Sequence, residues 1–457
     1  MSKTLAGISP LLLLAGLASP GVLEHAAQEL PIVVEGDHFR IHCHFDSQRA
    51  ADEALASVEA LFPAVDELYG ETSREVRSVH LYRNAADYQA AEKKLTNGQF
   101  ARNLAFAHYG SLSAHVALQP PVADAVLERY GLPQLTRELL AHEAAHLARY
   151  DSFRNFRSHP RWFVDGAADW LDDRALQSLG VDTSPSVDPE SATTVFRVQE
   201  LDEPPSAEAA LSTPLESLPF YQGYAARELW FQFLMAEEPR RTREIIDEIR
   251  SRGGSNEEKF TKATFDGAKK AFGSRFKGLD KRFGKWLGER EPAWQQVYRS
   301  LERRDEDGEV VWLQAAFDTS NAIAWRTEPV DSKRFKVSGE LEILPGQRQQ
   351  MNLLLGRGDR GFVSIALVGG FGVTVFDYVS ASNDWNQLAN VEVDGVQVGQ
   401  PFSFEVEVKG SALTIRIDGE EVVEIDDAKH DLRGPWGLGA QSSSAGVWRK
   451  LRAPGLD

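Results

Sequence analysis

Two histidines four residues apart, with a glutamate beside the first, set the tightest constraint on how this chain can fold: His142-Glu143-Ala144-Ala145-His146. In a helix, residues i and i+4 lie one turn apart on one face, so both imidazoles can reach a single ion while Glu143 stands next to them. The flanking residues supply that helix. Pro133 suits a first turn. Leu135, Leu139, His142 and His146 fall along one stripe, and Leu140, Ala144 and Leu147 form an apolar stripe beside it. A short polar connection, 151–158, leads into a second helical segment from Pro160 to Leu171. Asp165 lies beyond an eighteen-residue gap, 147–164, which lets the second helix return alongside the first and offer a carboxylate to the same ion.

H-E-x-x-H is the pattern in which two neutral imidazoles bind zinc and the glutamate works as general base. Joined to that gap and to Trp162-Phe163-Val164-Asp165-Gly166-Ala167-Ala168, it resembles the gluzincin metallopeptidases, the clan of thermolysin and aminopeptidase N. Their second helix usually reads W-L-x-E-G-x-A. The resemblance is sharp across the two helices and loose, by order of elements, over Val33 to Leu301. It implies Zn2+ held by His142, His146 and Asp165, with Glu143 deprotonating a water held by the ion. By the same resemblance Asp169 is the carboxylate that orients a histidine ring. One residue departs from the family: aspartate stands where glutamate is usual. Zinc–oxygen bonds of about 2.0–2.2 Å would then require the second helix to come closer, and Gly166, Ala167 and Ala168 are small enough to permit it. Otherwise the site is weakened or empty.

Hydrolysis also needs a donor for the developing oxyanion. Related peptidase-like proteins often carry a tyrosine at the equivalent helix start, and by that resemblance Phe220–Trp230 offers Tyr221 as the first catalytic candidate, Tyr224 as the second and Arg227 as an outsider, with half-buried helix residues as the bland alternative for the tyrosines. A solvated acidic face is the bland alternative for Asp169, Asp172 and Asp173, and core packing is the simpler reading of Trp162 and Trp170. The G-x-M-E-N motif of the clan's aminopeptidases is missing, so aminopeptidase activity is not supported.

A formal net charge of -18 argues against nucleic acid or an anionic membrane surface as the main partner. Lys3 precedes an apolar stretch, Leu5 to Leu23, followed by small residues; segment 1–27 is therefore expected to be a signal peptide, making the protein secreted or periplasmic. Pro10, Pro20 and Gly21 weigh against a stable membrane span. The only cysteine, Cys43, rules out an internal disulfide. It alternates with Phe39, Ile41 and Phe45 as a buried strand residue would. His42 and His44 fall on the opposite face, so the His-Cys-His run is a poor metal site.

The expected fold class is multidomain α+β: a small α/β N-terminal region and a helical zincin-like catalytic domain, followed by an all-β jelly-roll sandwich. The zincin-like part spans 28–305, α/β over 28–120 and helical over 121–305. Its strands are Ile32–Phe45, Val76–Tyr82 and Ala114–Gln119, the last expected to be the edge that pairs with an extended peptide. An amphipathic helix from Leu55 to Leu68 carries Pro63 as a kink. The proline-rich stretch Val181–Pro219 reads as a long irregular segment placed to cover the cleft, and Tyr224–Leu301 as helices. Charged residues 302–309 mark a boundary.

From 310 to 457 the pattern is alternating: Phe335, Val337, Leu341 and Ile343, then Phe402, Phe404, Val406 and Val408. Asp418-Gly419 between two such runs signals a hairpin. The stretches Ile-Asp-Gly-Glu (417–420), Gly-Pro-Trp-Gly-Leu-Gly-Ala (434–440) and Gly-Val-Trp-Arg-Lys-Leu (446–451) resemble concanavalin-like jelly rolls. Such sandwiches often bind or cleave carbohydrate, but the fold is used too widely to fix a function. Trp325 and Trp385 fit either a sugar platform or core, and Trp436 and Trp448 fit core. The leading expectation is a secreted zinc-dependent peptidase with a peptide or protein substrate and a carbohydrate as partner of the sandwich. The alternatives are a noncatalytic glycan- or protein-binding chain on a degenerate peptidase scaffold, or a carbohydrate-active enzyme working through the sandwich. No paired carboxylates stand out for that last chemistry.

Overall fold

The computed structural model describes residues 31–70, 75–101, 103–153, 160–212, 218–252, 257–296, 300–306, 308–317, 320–428 and 430–456. The expected signal segment lies outside them. No helix among the described residues is long and apolar enough to cross a membrane.

The N-terminal half opens with β1 (Ile32–Glu35), β2 (Phe39–Cys43), α1 (Gln48–Glu59), α2 (Phe62–Tyr69), β3 (Arg77–Tyr82), α3 (Ala85–Thr96), β4 (Ala105–His108) and β5 (Ser113–Ala117). The five strands form one sheet in the order β1-β2-β3-β5-β4. Strands β2, β3 and β5 run parallel, while β1 and β4 flank them antiparallel. The segment expected at the edge, 114–119, is therefore interior. The tight return between β4 and β5 places the short β4 outside it, and a four-residue strand carries too little alternation to be read in advance. Phe39, Ile41 and Cys43 are fully buried on one face together with Val79, Leu81, Ala114 and Val116, where α1 and the H-E-x-x-H helix pack. Strand period 2 thus places Cys43 as expected.

Helices follow: α4 (Asp124–Tyr130), α5 (Gln134–Ser152), α6 (Arg161–Ser178), α7 (Pro189–Gln199), α8 (Ala207–Ser212), α9 (Phe220–Glu237), α10 (Pro239–Arg252), α11 (Glu257–Phe272) and α12 (Leu279–Gly288). Proline marks several of the helix starts. Pro133, Pro160 and Pro219 stand immediately before α5, α6 and α9, where a missing N–H costs nothing. The expected kink at Pro63 is instead the first turn of α2, separate from α1. The stretch expected to be irregular holds α7 and α8; Pro189 opens α7 and the Asp188 carboxylate caps it by accepting the Ser191 N–H at 2.7 Å.

The sandwich begins earlier than the charged stretch suggests. Two seven-stranded antiparallel sheets are built from β6 (Trp294–Gln296), β7 (Leu301–Glu306), β8 (Glu309–Ala315), β9 (Ala322–Arg326), β10 (Arg334–Ile343), β11 (Gln350–Gly358), β12 (Gly361–Val368), β13 (Gly372–Val379), β14 (Asp384–Glu392), β15 (Pro401–Lys409), β16 (Ala412–Ile417), β17 (Glu420–Ile425), β18 (Gly437–Ala440) and β19 (Ala445–Arg452). Their orders are β17-β16-β15-β10-β19-β8-β7 and β14-β13-β12-β11-β18-β9-β6. Residues 302–306 and Glu309 are thus no linker: they lie in the paired strands β7 and β8. Asp418 and Gly419, both at positive φ (49° and 85°), make the expected turn between β16 and β17.

Strand β8 serves two cores. Val311, Leu313 and Ala315 pack with the helical half, and so do Ala445 and Val447 of β19. The alternate residues Trp312 and Trp448 point into the sandwich, where Trp436 is also buried. The seam is polar at its rim. The buried Glu302 carboxylate accepts the Gln134 N–H at the start of α5, Arg304 donates to the Leu132 carbonyl at 2.8 Å, and the buried Glu342 accepts from Arg129 and Tyr130.

Candidate metal centre

Helix α6 lies between α5 and α9, and the site is where the three meet. His142 and His146, one turn apart on α5, turn their Nε2 atoms to face each other at 3.1 Å. That separation is close to the roughly 3.3 Å spanned by two Zn–N bonds of about 2.0–2.1 Å at a tetrahedral angle. The donor pair therefore fits a zinc-sized ion. Behind His142, its Nδ1 meets Asp169 Oδ1 at 2.8 Å and Asp172 Oδ2 at 3.5 Å. Both aspartates are buried, so the solvated-face alternative does not hold for them. His142, Asp169 and Asp172 also form the one group of three His, Cys, Asp or Glu ligand atoms within 4.8 Å of one another among the described residues. Since the nitrogen involved is His142 Nδ1, the cluster fixes the ring and leaves Nε2 to face the site. Burial opposes protonation of His142, but Asp169 outweighs it and holds the ring well above its ordinary value; burial and His142 together push His146 well below.

Glu143 is buried beside this pair. Burial raises its carboxyl from 4.5 to about 7; neighbouring Asp165 and Asp169 add to the shift, while His142 and a backbone N–H from Ala107 oppose it. Ala107 belongs to β4, the sheet edge, so the carboxylate is moored to that edge strand.

Asp165 is buried too, but its Oδ2 is held by Arg227 Nη1 at 2.7 Å, with Arg161 at 4.0 Å from Oδ1. Burial raises its pKa and the two arginines resist the rise. The expected trio of His142, His146 and Asp165 is thus not the tightest cluster: the short aspartate side chain is turned toward α9. Gly166 has a different task from the one expected. A Cβ there would meet the Arg227 carbonyl oxygen and Phe231 Cβ, each at 2.8 Å, so its lack of a side chain lets α6 approach α9 and not the ion. Gly166→Ala should push α9 away and destabilise the protein by about 1–3 kcal/mol. A thermal melt that matches the parent would remove this role.

The order of the tyrosines is also corrected. Tyr221, expected as the catalytic donor, is 64 % exposed at the start of α9 with Arg197 stacked over its ring. Tyr224, almost one turn on, faces α6; its hydroxyl lies 3.3 Å from both His142 Nε2 and Asp169 Oδ1. First-turn position decides the difference, because Tyr221 projects beyond the packed face. Arg227, one turn further along α9, carries the same face into the site through Asp165. Sequence spacing from Tyr224 to Arg227 (i, i+3) was the available signal for this shared face.

No protein-family model matches the chain, and no curated protein is similar to it in sequence. Several solved structures resemble part of it in shape. A carbohydrate binding module, CBM66 from Bacillus subtilis, is 13% identical over 35% of this chain and 93% of its own, with a TM-score of 0.29. The Emp47p carbohydrate recognition domain is 13% identical over 35% and 88%, with a TM-score of 0.27. Sheep galectin-11 is 13% identical over 28% and 94%, with a TM-score of 0.23. At these scores the likeness carries no argument about ligand or activity.

The sandwich itself presents one aromatic surface. Trp385 of β14 is 40 % exposed and packs against Tyr378 (centroids 4.8 Å) and Phe362 (5.7 Å), with Trp325 buried behind Phe362 at 5.2 Å. Trp385 and Trp325, grouped together from sequence, therefore divide into an exposed ring and a buried one.

Proposed function

We propose that the chain is a zinc-dependent peptidase of extended peptide segments, with a carbohydrate-binding sandwich fused to it. The observation that carries the first part is the facing pair of Nε2 atoms with Glu143 beside it, moored to the Ala107 N–H of a free sheet edge. Bound zinc would supply a Lewis acid that polarises a carbonyl and acidifies water. His142 and His146 would hold it, with Asp165 as the neighbouring carboxylate. Asp169 keeps the His142 ring in one orientation. Glu143, with a pKa brought near neutrality by burial, suits a general base at pH 7. The Tyr224 hydroxyl is positioned to donate to a developing oxyanion. Strand β4 is the terminal strand of its sheet among the described residues, and apart from the Ala107 N–H taken by Glu143 its outer edge is where an extended substrate can lie.

Zinc content measured after purification without chelators tests this. One equivalent is expected, lost in His142→Ala and in His146→Ala, and full zinc retention by both variants would place the ion elsewhere.

The exposed Trp385 ring, braced by the partly buried Tyr378 and Phe362, supports the second part, since an exposed aromatic face suits the apolar side of a sugar ring. Trp385→Ala should abolish retention on a polysaccharide panel while leaving the melting temperature within about 1 °C, as expected of a half-exposed side chain. Unchanged retention would remove the platform. One observation favours a noncatalytic reading, a glycan-binding protein on a scaffold that does not turn over: the Asp165 carboxylate already paired with Arg227. A zinc-loaded parent without proteolysis on any unfolded protein substrate would favour it.

A further inference from the structure

Strand order in the sandwich brings three connections together at a place the exposed aromatic ring does not occupy. Lys333 stands just ahead of β10, Gly410 and Ser411 make the turn between β15 and β16, and His430, Asp431 and Arg433 lie in the connection from β17 to β18. Backbone hydrogen bonds tie the three: the Gly410 N–H donates to the Lys333 carbonyl at 2.7 Å and the Ala428 N–H to the Ser411 carbonyl at 2.8 Å. These six residues line one cavity of about 250 Å³. Liquid water takes about 30 Å³ per molecule and drug-sized ligands fill roughly 300–1,000 Å³, so the space exceeds a bare ion and suits one small ring.

The base of this cavity is anchored across the sandwich. His430 is 9 % exposed; its Nε2 lies 2.7 Å from Oδ1 of Asp377, buried on β13 of the other sheet, and 3.1 Å from the Tyr378 carbonyl oxygen. Nε2 is therefore committed to that sheet, which leaves Nδ1 to serve a ligand. Asp431, the one carboxylate of the lining, is committed as well: both its oxygens are taken by Arg433, through Nε at 2.8 and 3.0 Å and through Nη2. What the lining has to spare is donors. Arg433 keeps Nη1, Ser411 its hydroxyl, and the exposed Lys333 pairs with no carboxylate at salt-bridge distance among the described residues. Two cations against one carboxylate leave the lining positive.

We propose that this cavity takes the carboxylate of one acidic sugar residue at the end of a glycan. The inference rests on the carbohydrate-binding reading of the sandwich and names the class of sugar. A carboxylate only accepts hydrogen bonds, which matches a lining whose free groups donate, and bonds from Lys333 and Arg433 to it are charge-assisted. Sugar hydroxyls both donate and accept, so Ser411 and His430 Nδ1 can serve the rest of the ring. The chain's net charge of -18 repels polyanions, so a single terminal acidic residue suits the protein better than an acidic polymer. Tyr378 joins the cavity to the exposed aromatic ring: its carbonyl meets His430 while its side chain packs on Trp385 at 4.8 Å.

The test applies the full chain to a panel of oligosaccharides ending in uronate or sialate, each beside the same oligosaccharide without its acidic residue. At least one acidic member should bind roughly tenfold or more tighter than its neutral counterpart, the scale of a charge-assisted hydrogen bond. Lys333→Gln and Arg433→Gln should each remove that preference while leaving the melting temperature within about 1 °C, since both side chains are exposed. Lys336→Gln, which removes a cation of β10 paired with Glu405 at 2.9 Å, should keep the preference. Equal binding of acidic and neutral members would overturn the proposal and leave the carbohydrate-binding reading standing, as would an acidic preference kept by both variants. Binding to no member of the panel would overturn the two together. Inorganic phosphate bound with the same dependence on Lys333 and Arg433, without any acidic glycan, would show a small-anion site and overturn the sugar assignment.

Discussion

Glu143→Gln is expected to lower peptide hydrolysis by about 10²–10⁴-fold, the usual contribution of a positioned base, while leaving zinc content unchanged. The amide keeps the size of the carboxylate but cannot accept a proton. The same change should stabilise the metal-free protein above neutral pH. Glu143 holds its proton up to about pH 7 in the folded chain, against 4.5 ordinarily. Between those values the folded state binds more protons than the unfolded one, so stability falls as pH rises through the window and stays low above it. A shift of this size corresponds to at most about 3 kcal/mol. Glutamine removes that penalty, so in the presence of chelator the variant should melt higher than the parent at pH 8 and close to it at pH 4.5. A variant with normal hydrolysis, or one that melts lower at pH 8, would take Glu143 out of the mechanism or out of its buried setting.

The second large effect is acid instability of the row of imidazoles His42, His80 and His115, paired in register across β2, β3 and β5 and stacked with centroids 4.5 and 4.7 Å apart. Burial first, then neighbouring rings, lower His80 to about 4 and His115 to about 3, from 6.5. The unfolded chain takes up protons below pH 6.5 while the folded sheet refuses them, so stability is lost as pH falls from 6.5 toward 3–4. Converted directly, each shift is worth roughly 3–5 kcal/mol, and solvent reaching the half-exposed His80 reduces its share. His115→Phe should keep a ring stacked on Phe106 and His80 and melt higher than the parent, relative to pH 7, when both are measured at pH 4.5. An identical pH dependence for the two chains would show that His115 is not the acid-sensitive rung.

What the sequence disclosed depends on range. The H-E-x-x-H helix and the second helix across the gap were legible because a helix face encodes its own neighbours within a turn, whereas Asp169, which meets His142 from another helix, was suggested only by the gluzincin resemblance. The Asp418–Gly419 hairpin was legible because two positive φ angles restrict the residues that fit. Proline was seen but misread: Pro63 and Pro189 suggested a kink and an irregular stretch, whereas both sit in first turns, where their lack of an N–H is harmless. Strand order was not legible, and with it went the identity of the edge strand and the placing of His80 between His42 and His115. Choosing Tyr224 over Tyr221 required knowing which face of α9 meets α6. The Asp165–Arg227 pair likewise depends on how closely Gly166 lets those helices approach.

Glu302 stands at the start of β7, yet its carboxylate closes the first turn of the helix that carries His142 and His146. One open N–H of the first turn of α5, that of Gln134, is therefore satisfied by a residue from the other half of the chain. Any shortened version ending before the sandwich would leave that helix uncapped and strip Val311, Leu313 and Ala315 from its apolar surroundings. The sandwich is thus unlike a bead on a string, to be traded between proteins by recombination at a loop. It shares a core with the helices, so a carbohydrate held at its far face would sit at a fixed bearing from the candidate metal centre.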